Sequence, residues 1–335
     1  MTNAHRVAVI GAGSWGTTVA SVVARNAPTV LWARNDVVAQ EITEAHTNEA
    51  YLPGAELHPR LEATSSLEEA VRSADVLVMG VPSHGFRTVL QEAAPYVRPW
   101  VPVVSLSKGL EQDSRLRMTE VIDEVLPGHP AGVLTGPNIA KEVVTGLAAP
   151  AVIAMADERV AQALQEIFRT LVFRVYTTTD VVGAEFAGAL KNVVAIAAGM
   201  GHGLGAGDNT IAGVITRGLR ELTRLGLTLG GEAHTFAGLA GMGDLIATCI
   251  SPHSRNRQFG EQLAADKTVE EITSEMKMVA EGVKTSRVVK ELADQNGVEM
   301  PIAAEVYAVC HEGAKATHAF RGLLRYRVTS ELAPG

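Results

Sequence analysis

One lysine and one asparagine interrupt the most apolar segment of the chain. Lys191 and Asn192 follow a run of small and apolar residues that begins at Val182. Lysine is rarely buried without a partner, and burial lowers the pKa of an amine towards the range useful for proton transfer. A lysine that extends to the surface is the alternative interpretation. Because glycines and alanines surround Lys191 and suit close approach of a backbone or ligand, the sequence favours an acid–base role.

Three further polar segments could bind an anionic substrate. Ser254, Arg255 and Asn256 offer a hydroxyl, a guanidinium and an amide in sequence, a set suited to a phosphate ester. Asp244 stands in an apolar, glycine-rich segment that we interpret as a turn. Lys108 follows a predicted strand, at the edge where open α/β sheets bind ligands. Each feature alone is only suggestive, and a cation in a loop is more often merely solvated.

A GxGxxG pattern near the N-terminus predicts a dinucleotide site. Gly11, Gly13 and Gly16 directly follow a short apolar run and directly precede a helical pattern. The first glycine allows a tight turn, the second lets the backbone approach a pyrophosphate, and the third lets the helix pack close to the strand. The start of that helix presents N–H groups to the phosphates. A structural turn is the alternative, but a second predicted strand at the expected distance favours cofactor binding.

Arg34 bears on the choice between NADPH and NADH. An acid at the end of the second strand binds the ribose 2′-hydroxyl, whereas an arginine there accommodates a 2′-phosphate. Arg34 lies at that strand end, and Asp36 follows two residues later. The sequence therefore favours NADPH, or the use of both cofactors. A solvated surface arginine is the alternative interpretation.

Length, charge and cysteine content limit the classes of protein that this chain can be. Its 335 residues predict about two domains. A net charge of −8 argues against nucleic acid or an anionic membrane as the main partner, without excluding a local cationic pocket. Cys249 and Cys310 form no CxxC and no Cys/His cluster, so we expect two packed thiols, no metal site and no disulfide framework.

Short apolar runs alternate with helical patterns in the first half of the chain, which predicts a doubly wound parallel sheet. Glycines interrupt the first apolar run, so we expect a strand, turn and helix there rather than a signal peptide, and no membrane-spanning helix elsewhere. The alternation stops near residue 179. The sequence thus predicts a Rossmann-like, NAD(P)-binding domain over 1–179 and an all-helical, substrate-binding domain over 180–335. The predicted strands are 6–10, 29–33, 75–81, 101–106, 132–134, 151–154 and 173–176.

The sequence predicts helices in both domains. Ser66 and Glu69 predict a capping box that opens a short helix within the first domain. A threonine run and Asp180 predict the start of the long apolar helix. The predicted longer helices are 158–170, 181–200, 211–225, 256–265, 269–276, 285–295, 303–311 and 319–326.

Together these motifs resemble those of the NAD(P)-dependent glycerol-3-phosphate dehydrogenases of bacterial type. The strings GAGSWGT, SKGL, GPNIAKE, EFAGALKNVVAIAAG, AGMGDL and SRNR stand in that family's order and span most of the chain. The resemblance implies a Rossmann domain followed by a helical domain, in a cytosolic homodimer. It also implies reversible reduction of dihydroxyacetone phosphate to sn-glycerol 3-phosphate by NAD(P)H without a metal, which supplies glycerol phosphate for glycerophospholipid synthesis.

The resemblance further implies roles for individual residues, with Lys191 as the proton donor and acceptor. Bacterial members usually carry Ser or Thr where this chain has Asn138, whose amide can still hydrogen-bond a hydroxyl or a lysine. The residues implied to contact the substrate are Lys108, Gly136, Asn138, Lys191, Asp244, Ser254, Arg255 and Asn256. The residues implied to contact the cofactor are Gly11, Gly13, Ser14, Trp15, Gly16, Arg34, Lys108, Ala140, Arg255, Val279 and Glu281.

Two other functions are compatible with part of this pattern. A two-domain Rossmann dehydrogenase of hydroxy acids or sugar acids should also carry a helix lysine, so Lys191 alone does not decide between them. The SRNR and AGMGDL strings favour a phosphorylated triose. A non-catalytic nucleotide-sensing module should have lost Lys191, Asp244 or Arg255, and all three are present.

Overall fold

The chain divides into two compact units. The structure, a computed structural model, describes residues 5–276 and 280–324. The first unit comprises the residues up to Glu111 together with Leu116–Val181, and the second comprises Gln112–Arg115 and the chain from Val182 onward. The main division thus follows Val181, and the sequence predicts a boundary after residue 179. The assignment of 112–115 to the second unit is not anticipated by the sequence.

The first unit is built on one eight-stranded sheet with strand order β3-β2-β1-β4-β5-β6-β7-β8. The order of the first six strands is that of dinucleotide-binding folds. The strands are β1 (Val7–Ile10), β2 (Thr29–Trp32), β3 (Leu61–Thr64), β4 (Val76–Met79), β5 (Val103–Ser105), β6 (Ala131–Thr135), β7 (Ala149–Met155) and β8 (Phe173–Thr178). The α-helices are α1 (Ser14–Val23), α2 (Asp36–Glu44), α3 (Leu67–Arg72), α4 (Ser83–Ala93), α5 (Met118–Val125), α6 (Ala140–Val144) and α7 (Glu158–Phe168).

The central strands are buried on both faces. In β1, Val7 and Val9 pack into one hydrophobic core, while Ala8 and Ile10 pack into a second core on the other face of the sheet. Side chains of a strand alternate between faces, so a strand covered by helices on both sides needs apolar residues at every position. This requirement explains why unbroken apolar runs located these strands in the sequence.

The segment around β3 departs from the sequence prediction. β3 is not predicted, because it lies at the edge of the sheet and only Leu61 among its four residues is buried. The predicted capping box is half formed. The Ser66 hydroxyl accepts from the backbone N–H of Glu69 at 3.2 Å, as expected, but the Glu69 carboxylate accepts from the Thr64 hydroxyl at 2.7 Å. The backbone N–H of Ser66 donates instead to Thr64 Oγ1, at 3.1 Å.

One strand pair runs against the predicted parallel direction. β7 is antiparallel to β6, whereas the other paired strands of the sheet are parallel. A parallel crossover needs an element long enough to carry the chain back along the preceding strand. The connection from β6 to β7 contains only α6, whose five residues span about 7.5 Å. The chain therefore enters β7 at the carboxyl end of β6 and runs back antiparallel to it.

The second unit is helical in the residues that the structure describes. Its helices are α8 (Val181–Gly203), α9 (Asp208–Thr228), α10 (Ala233–Ala237), α11 (Asp244–Ile250), α12 (Arg255–Ala264), α13 (Val269–Glu275), α14 (Glu281–Gln295), α15 (Pro301–His311) and α16 (Ala316–Leu324). By length and composition α8 could cross a membrane, with a mean hydropathy of 1.5, but 89% of that apolar window is buried inside the protein. That burial is typical of a core helix.

Helices α8 and α12 cross with their backbones in contact. A Cβ atom at Gly199 of α8 would overlap the Arg257 carbonyl, and one at Gly260 of α12 would overlap the Ile196 carbonyl. No side chain fits at either position. The contact fixes the position of α12 along α8, and so relates the first residues of α12 to Lys191, which lies two turns before Gly199 on α8.

A buried glutamate ties α9 to the start of α15. The Glu221 carboxylate accepts from the backbone N–H groups of Ile302 and Ala303, at 2.8 and 3.2 Å. Burial outweighs these two hydrogen bonds and raises the pKa of Glu221 to about 7. The folded protein therefore holds this proton more tightly than the unfolded chain, in which the carboxyl keeps its ordinary pKa. The stability that Glu221 contributes is complete below about pH 4.5 and is lost as the pH rises through about 7.

Glu221→Gln should remove this component of the pH dependence. The neutral amide does not titrate, so the free energy of unfolding of the variant should fall less than that of the wild type between pH 4 and pH 8, by urea denaturation. The exposed Glu62 in β3 provides a matched control, and Glu62→Gln should keep the wild-type profile. Parallel profiles for the wild type and Glu221→Gln would contradict the assignment.

Candidate active site

The loop between β1 and α1 has the shape that a dinucleotide requires. Gly11 has a φ of +115°, and a Cβ there would lie 2.8 Å from the Gly80 carbonyl oxygen. A Cβ at Gly16 would overlap the Gly11 carbonyl, so α1 packs directly against the loop. A Cβ at Gly13 would meet no atom within 4 Å, which shows that the loop opens to free space at this glycine. These three properties match the three tasks of the glycine pattern.

Ser14 and Trp15 form the first turn of α1. The Ser14 hydroxyl donates to the Tyr51 carbonyl at 2.8 Å. The Trp15 ring packs edge-on against Phe173, and its Nε1 is buried without a hydrogen-bond partner among the described residues. A buried donor of this kind calls for an acceptor. With the open space at Gly13 and the helix N-terminus, it fits a bound dinucleotide.

The two residues that bear on cofactor choice differ in their surroundings. Arg34 is exposed, two residues beyond the end of β2. Asn35 caps α2 by accepting from the backbone N–H of Val37 at 2.9 Å, and Asp36 accepts from the Ser65 hydroxyl at 2.9 Å. The carboxylate is thus engaged by a neighbour within the protein, while the guanidinium lies at the surface.

Four of the expected site residues lie at the carboxyl ends of β5 and β6. Lys108 Nζ donates to the Gly136 carbonyl at 2.8 Å. Asn138 Nδ2 donates to the Pro150 carbonyl at 2.9 Å, whereas its Oδ1 is buried without a partner in the described part of the chain. Ala140 begins α6. Since one N–H of the Asn138 amide is already engaged, the group that Asn138 chiefly offers a ligand is its Oδ1 acceptor.

Lys191 lies in a buried polar cluster of the second unit. Its Nζ donates to Asp244 Oδ1 and to Thr248 Oγ1, both at 2.6 Å. Lys191 is 4% exposed and Asp244 is 2% exposed. A carboxylate beside a buried amine favours the ammonium form. The cluster therefore holds a proton donor at a defined position in apolar surroundings.

Asp244 does not lie in a turn, which corrects the sequence interpretation. The segment Leu239–Gly243 forms a π-helical turn, and Asp244 is the first residue of α11. Thr248 follows one helical turn later on the same face, so both side chains point to Lys191. The sequence reasoning missed Thr248, although its spacing of four residues from Asp244 would have identified it on a helix.

Cys249 lies beside this cluster and is inert. Burial raises the pKa of its thiol to about 12. The thiolate is the reactive form of cysteine and is scarce at neutral pH when the pKa is so high. Nucleophilic catalysis by this cysteine is therefore not a function of the site, and Cys249 contributes packing.

The predicted phosphate-binding residues open α12. Ser254 caps the helix, since its hydroxyl accepts from the backbone N–H of Arg257 at 3.3 Å. Arg255 is exposed in the first turn, whereas Arg257 forms an ion pair with Glu261 at 2.8 Å. A helix N-terminus favours an anion, and an arginine in the first turn adds charge and a pair of parallel donors.

The Asn256 side chain connects three helices. Its Nδ2 donates to Asn192 Oδ1 at 2.9 Å, and its Oδ1 accepts from the backbone N–H of Gly282 at 3.0 Å. The amide thus joins α12 to α8 and to the first turn of α14, a role that the sequence did not reveal. Glu281 begins α14 and is half-buried, and Val279 lies outside the described residues.

The expected residues therefore form distinct groups within each unit. The glycine loop and the Lys108 group belong to the first unit, and the Lys191 group with the start of α12 belongs to the second. Among residues 5–276 and 280–324, no group of three or more His, Cys, Asp or Glu side chains is placed to hold a metal ion.

Comparisons with known proteins agree with this arrangement. The model of the NAD-dependent glycerol-3-phosphate dehydrogenase N-terminus matches residues 6–161, and that of the C-terminus matches residues 180–321. An NAD(P)+ glycerol-3-phosphate dehydrogenase of Sphingopyxis alaskensis is 57% identical over 330 residues, which cover 98% of this chain and 99% of that protein. One from Mycobacterium tuberculosis is 58% identical over 320 residues, covering 95% and 94%.

Solved structures agree with the sequence comparisons. The glycerol-3-phosphate dehydrogenase of Coxiella burnetii superposes with a TM-score of 0.92 at 34% identity, over 96% of this chain and 99% of that one. A ketopantoate reductase of Ralstonia eutropha has a TM-score of 0.62 at 19% identity, over 94% and 99%, a likeness of fold alone. This chain belongs to the NAD-dependent glycerol-3-phosphate dehydrogenase family.

Proposed function

We propose that this chain reduces dihydroxyacetone phosphate to sn-glycerol 3-phosphate, reversibly, with a nicotinamide cofactor. The observation that carries the proposal is the buried ion pair between Lys191 and Asp244, with Nζ and Oδ1 2.6 Å apart. Reduction of a ketone needs a proton for the developing alkoxide, and a buried ammonium provides one. Membership of the family supports the same reaction. A bound nicotinamide would supply the hydride.

Lys191 acts as the general acid in reduction and as the base in the reverse direction. Asp244 and Thr248 position its Nζ through the two hydrogen bonds described above. In apolar surroundings a positioned cation also stabilises the alkoxide as its charge develops. Asn138 Oδ1, which is buried and unpaired within the described residues, is suited to accept from a substrate hydroxyl. Lys108 provides a further cation, held by the Gly136 carbonyl, for the substrate or the cofactor.

The substrate phosphate binds at the start of α12. Arg255 supplies two parallel donors, and the first turn of the helix supplies backbone N–H groups. The Asn256 amide, which joins α8 and α14, acts mainly by holding this turn in place. The Ser254 hydroxyl keeps capping α12 by accepting from the Arg257 N–H, and its O–H group can donate to the phosphate. The phosphate group thus distinguishes this substrate from the hydroxy acids and sugar acids of other two-domain dehydrogenases.

The glycine loop, Ser14 and Trp15 hold the cofactor pyrophosphate, and Arg34 selects NADPH over NADH. Arg34→Ala should weaken NADPH binding by about 1–3 kcal/mol, because a charge-assisted hydrogen bond to the 2′-phosphate is lost, and leave NADH binding almost unchanged. The measurement is fluorescence titration of both cofactors with the wild type and the variant. Equal losses for both cofactors would place Arg34 at a shared part such as the adenine, and no loss would make it a surface residue.

A substrate panel followed by nicotinamide absorbance tests the reaction itself. We expect turnover of dihydroxyacetone phosphate to exceed turnover of 2-keto acids and unphosphorylated dihydroxyacetone by orders of magnitude. Preference for a keto acid would support the hydroxy-acid alternative. Cofactor binding without turnover of any of these substrates would support a nucleotide-sensing module.

We also propose that the enzyme works as a homodimer in the cytoplasm. The family resemblance of the sequence supports both statements. Light scattering coupled to size exclusion measures the mass in solution, which should be twice that of the 35.3 kDa chain. A mass equal to one chain would overturn the dimer.

A further inference from the structure

A buried asparagine outside the predicted site contacts the glycine loop. Asn48 follows α2 and is 0% exposed. Its Nδ2 donates to the Ala12 carbonyl at 3.0 Å and to the Thr17 hydroxyl at 2.9 Å. Ala12 stands between the first two glycines of the loop, and Thr17 lies in α1. One side chain thus links the loop to the helix that follows it.

The segment that carries Asn48 is itself firmly held. The Asn48 carbonyl accepts from the backbone N–H of Leu52 at 2.7 Å, and Leu52 is buried in the core. Three residues after Asn48, the Tyr51 carbonyl accepts from the Ser14 hydroxyl at 2.8 Å. The segment therefore contacts the loop and the first turn of α1 at two points, from a fixed base.

The orientation of the Asn48 amide follows from its partner. A backbone carbonyl only accepts, so the NH₂ group must face Ala12. The Asn48 Oδ1 is left buried without a partner in the described part of the chain. An unpaired buried acceptor costs about 1–3 kcal/mol, which an apolar side chain of the same size would avoid. This cost indicates that Asn48 serves its hydrogen bond to the loop and not only the packing of the core.

The hydrogen bond to Ala12 determines which way the next peptide points. The peptide between Ala12 and Gly13 is trans, so its carbonyl and its N–H point in opposite directions. Asn48 holds the carbonyl inwards, and the Gly13 N–H therefore points outwards. A Cβ at Gly13 would meet no atom within 4 Å, so there is room for a ligand beside this glycine. If the peptide turned over, a carbonyl oxygen would face the pyrophosphate and repel it.

We propose that Asn48 is a positioning residue for the cofactor pyrophosphate. It fixes the Ala12–Gly13 peptide so that an N–H, and not a carbonyl oxygen, faces the anion. The inference rests on the proposed function, because it assumes that the loop binds a dinucleotide. It adds a residue from outside the glycine pattern to the binding site.

The test compares Asn48→Leu with a matched control. Thr29→Val also removes a buried donor to a backbone carbonyl, that of Ala27 at 2.9 Å, at the start of β2. We expect Asn48→Leu to raise the dissociation constant of NADPH about 10–100-fold, with kcat at saturating cofactor within about twofold of wild type. Thr29→Val should leave both quantities unchanged. ADP-ribose, which carries the pyrophosphate, should lose affinity, whereas adenosine should not.

Each outcome decides one question. A wild type that binds neither NADPH nor NADH would overturn the proposed function. A wild type that binds NADPH, with an Asn48→Leu variant that binds it equally well, would overturn the role of Asn48 alone. Equal losses for adenosine and ADP-ribose, or equal losses in Thr29→Val, would reduce Asn48 to a structural residue. If Asn48→Leu does not fold, Asn48→Ser is judged by the same criteria, since its shorter side chain cannot reach Ala12.

Discussion

Replacing Lys191 with methionine is expected to lower kcat by a factor on the order of 10²–10⁴ while cofactor affinity is retained. The variant keeps most of the side-chain volume but has no proton to donate. Because the amine lies 2.6 Å from Asp244 Oδ1 in a site that water does not reach freely, solvent should not replace it efficiently. The measurement is steady-state kcat for dihydroxyacetone phosphate, together with the dissociation constant of NADPH.

The buried partner of Lys191 requires a second variant. Removing the amine alone leaves the Asp244 carboxylate buried without its cation, which costs about 3–5 kcal/mol of stability and could unfold the protein. The double variant Lys191→Met/Asp244→Asn removes both charges and should fold while remaining as inactive as the single variant. Lys290→Met, which removes a surface lysine paired with Asp294, should retain wild-type kcat. A kcat near that of wild type in a folded Lys191 variant would exclude the acid–base role.

Replacing Arg255 with alanine is expected to cost about 2–4 kcal/mol in kcat/KM for dihydroxyacetone phosphate. A phosphate monoester is close to a dianion at neutral pH, and the guanidinium engages two of its oxygens in a geometry that lysine cannot reproduce. Arg255→Lys should therefore recover only part of the loss. Unphosphorylated dihydroxyacetone never makes the contact, so its low kcat/KM should barely change.

Arg257 provides the control for this prediction on the same helix. Its guanidinium pairs with Glu261 and also contacts the Ile250 carbonyl, so it serves the structure of the unit. Arg257→Ala should affect stability and slow the two substrates by similar factors. If Arg255→Ala also slows both substrates equally, Arg255 serves the cofactor or the fold, and Lys108 becomes the next candidate for the phosphate.

The sequence identified those parts of the fold that a local pattern encodes. Strands β1 and β4 are unbroken apolar runs because helices cover both of their faces, and such runs are visible without a structure. The capping serine of a helix is equally local, and Ser66 caps α3 as predicted. The edge strand β3 carries no such run, because only Leu61 among its four residues is buried.

The rest depended on contacts between residues far apart in the chain. The glycines before Asp244 suggest a turn, yet a Cβ at Gly241 would overlap the Phe236 backbone, so at least this glycine serves close packing within a helical segment. Thr248 and Asn48 belong to no motif. Asn48 acts through a partner 36 residues away, a distance that no spacing rule reveals, and the four-residue spacing of Thr248 from Asp244 is informative only once the segment is known to be helical.

The backbone contact between α8 and α12 sets the interval between Lys191 and the start of α12. Lys191, the proposed proton donor, and Arg255, the proposed phosphate ligand, lie on two helices that contact each other at Gly199 and Gly260 with no side chain between them. A side chain at either glycine would overlap a backbone carbonyl and displace the two helices, so the interval between Lys191 and Arg255 depends on both positions remaining glycine. Given the proposed roles, we expect this interval to favour a substrate whose carbonyl and phosphate are separated by a fixed number of bonds. We therefore expect changes of substrate specificity to come from the other residues that contact the substrate.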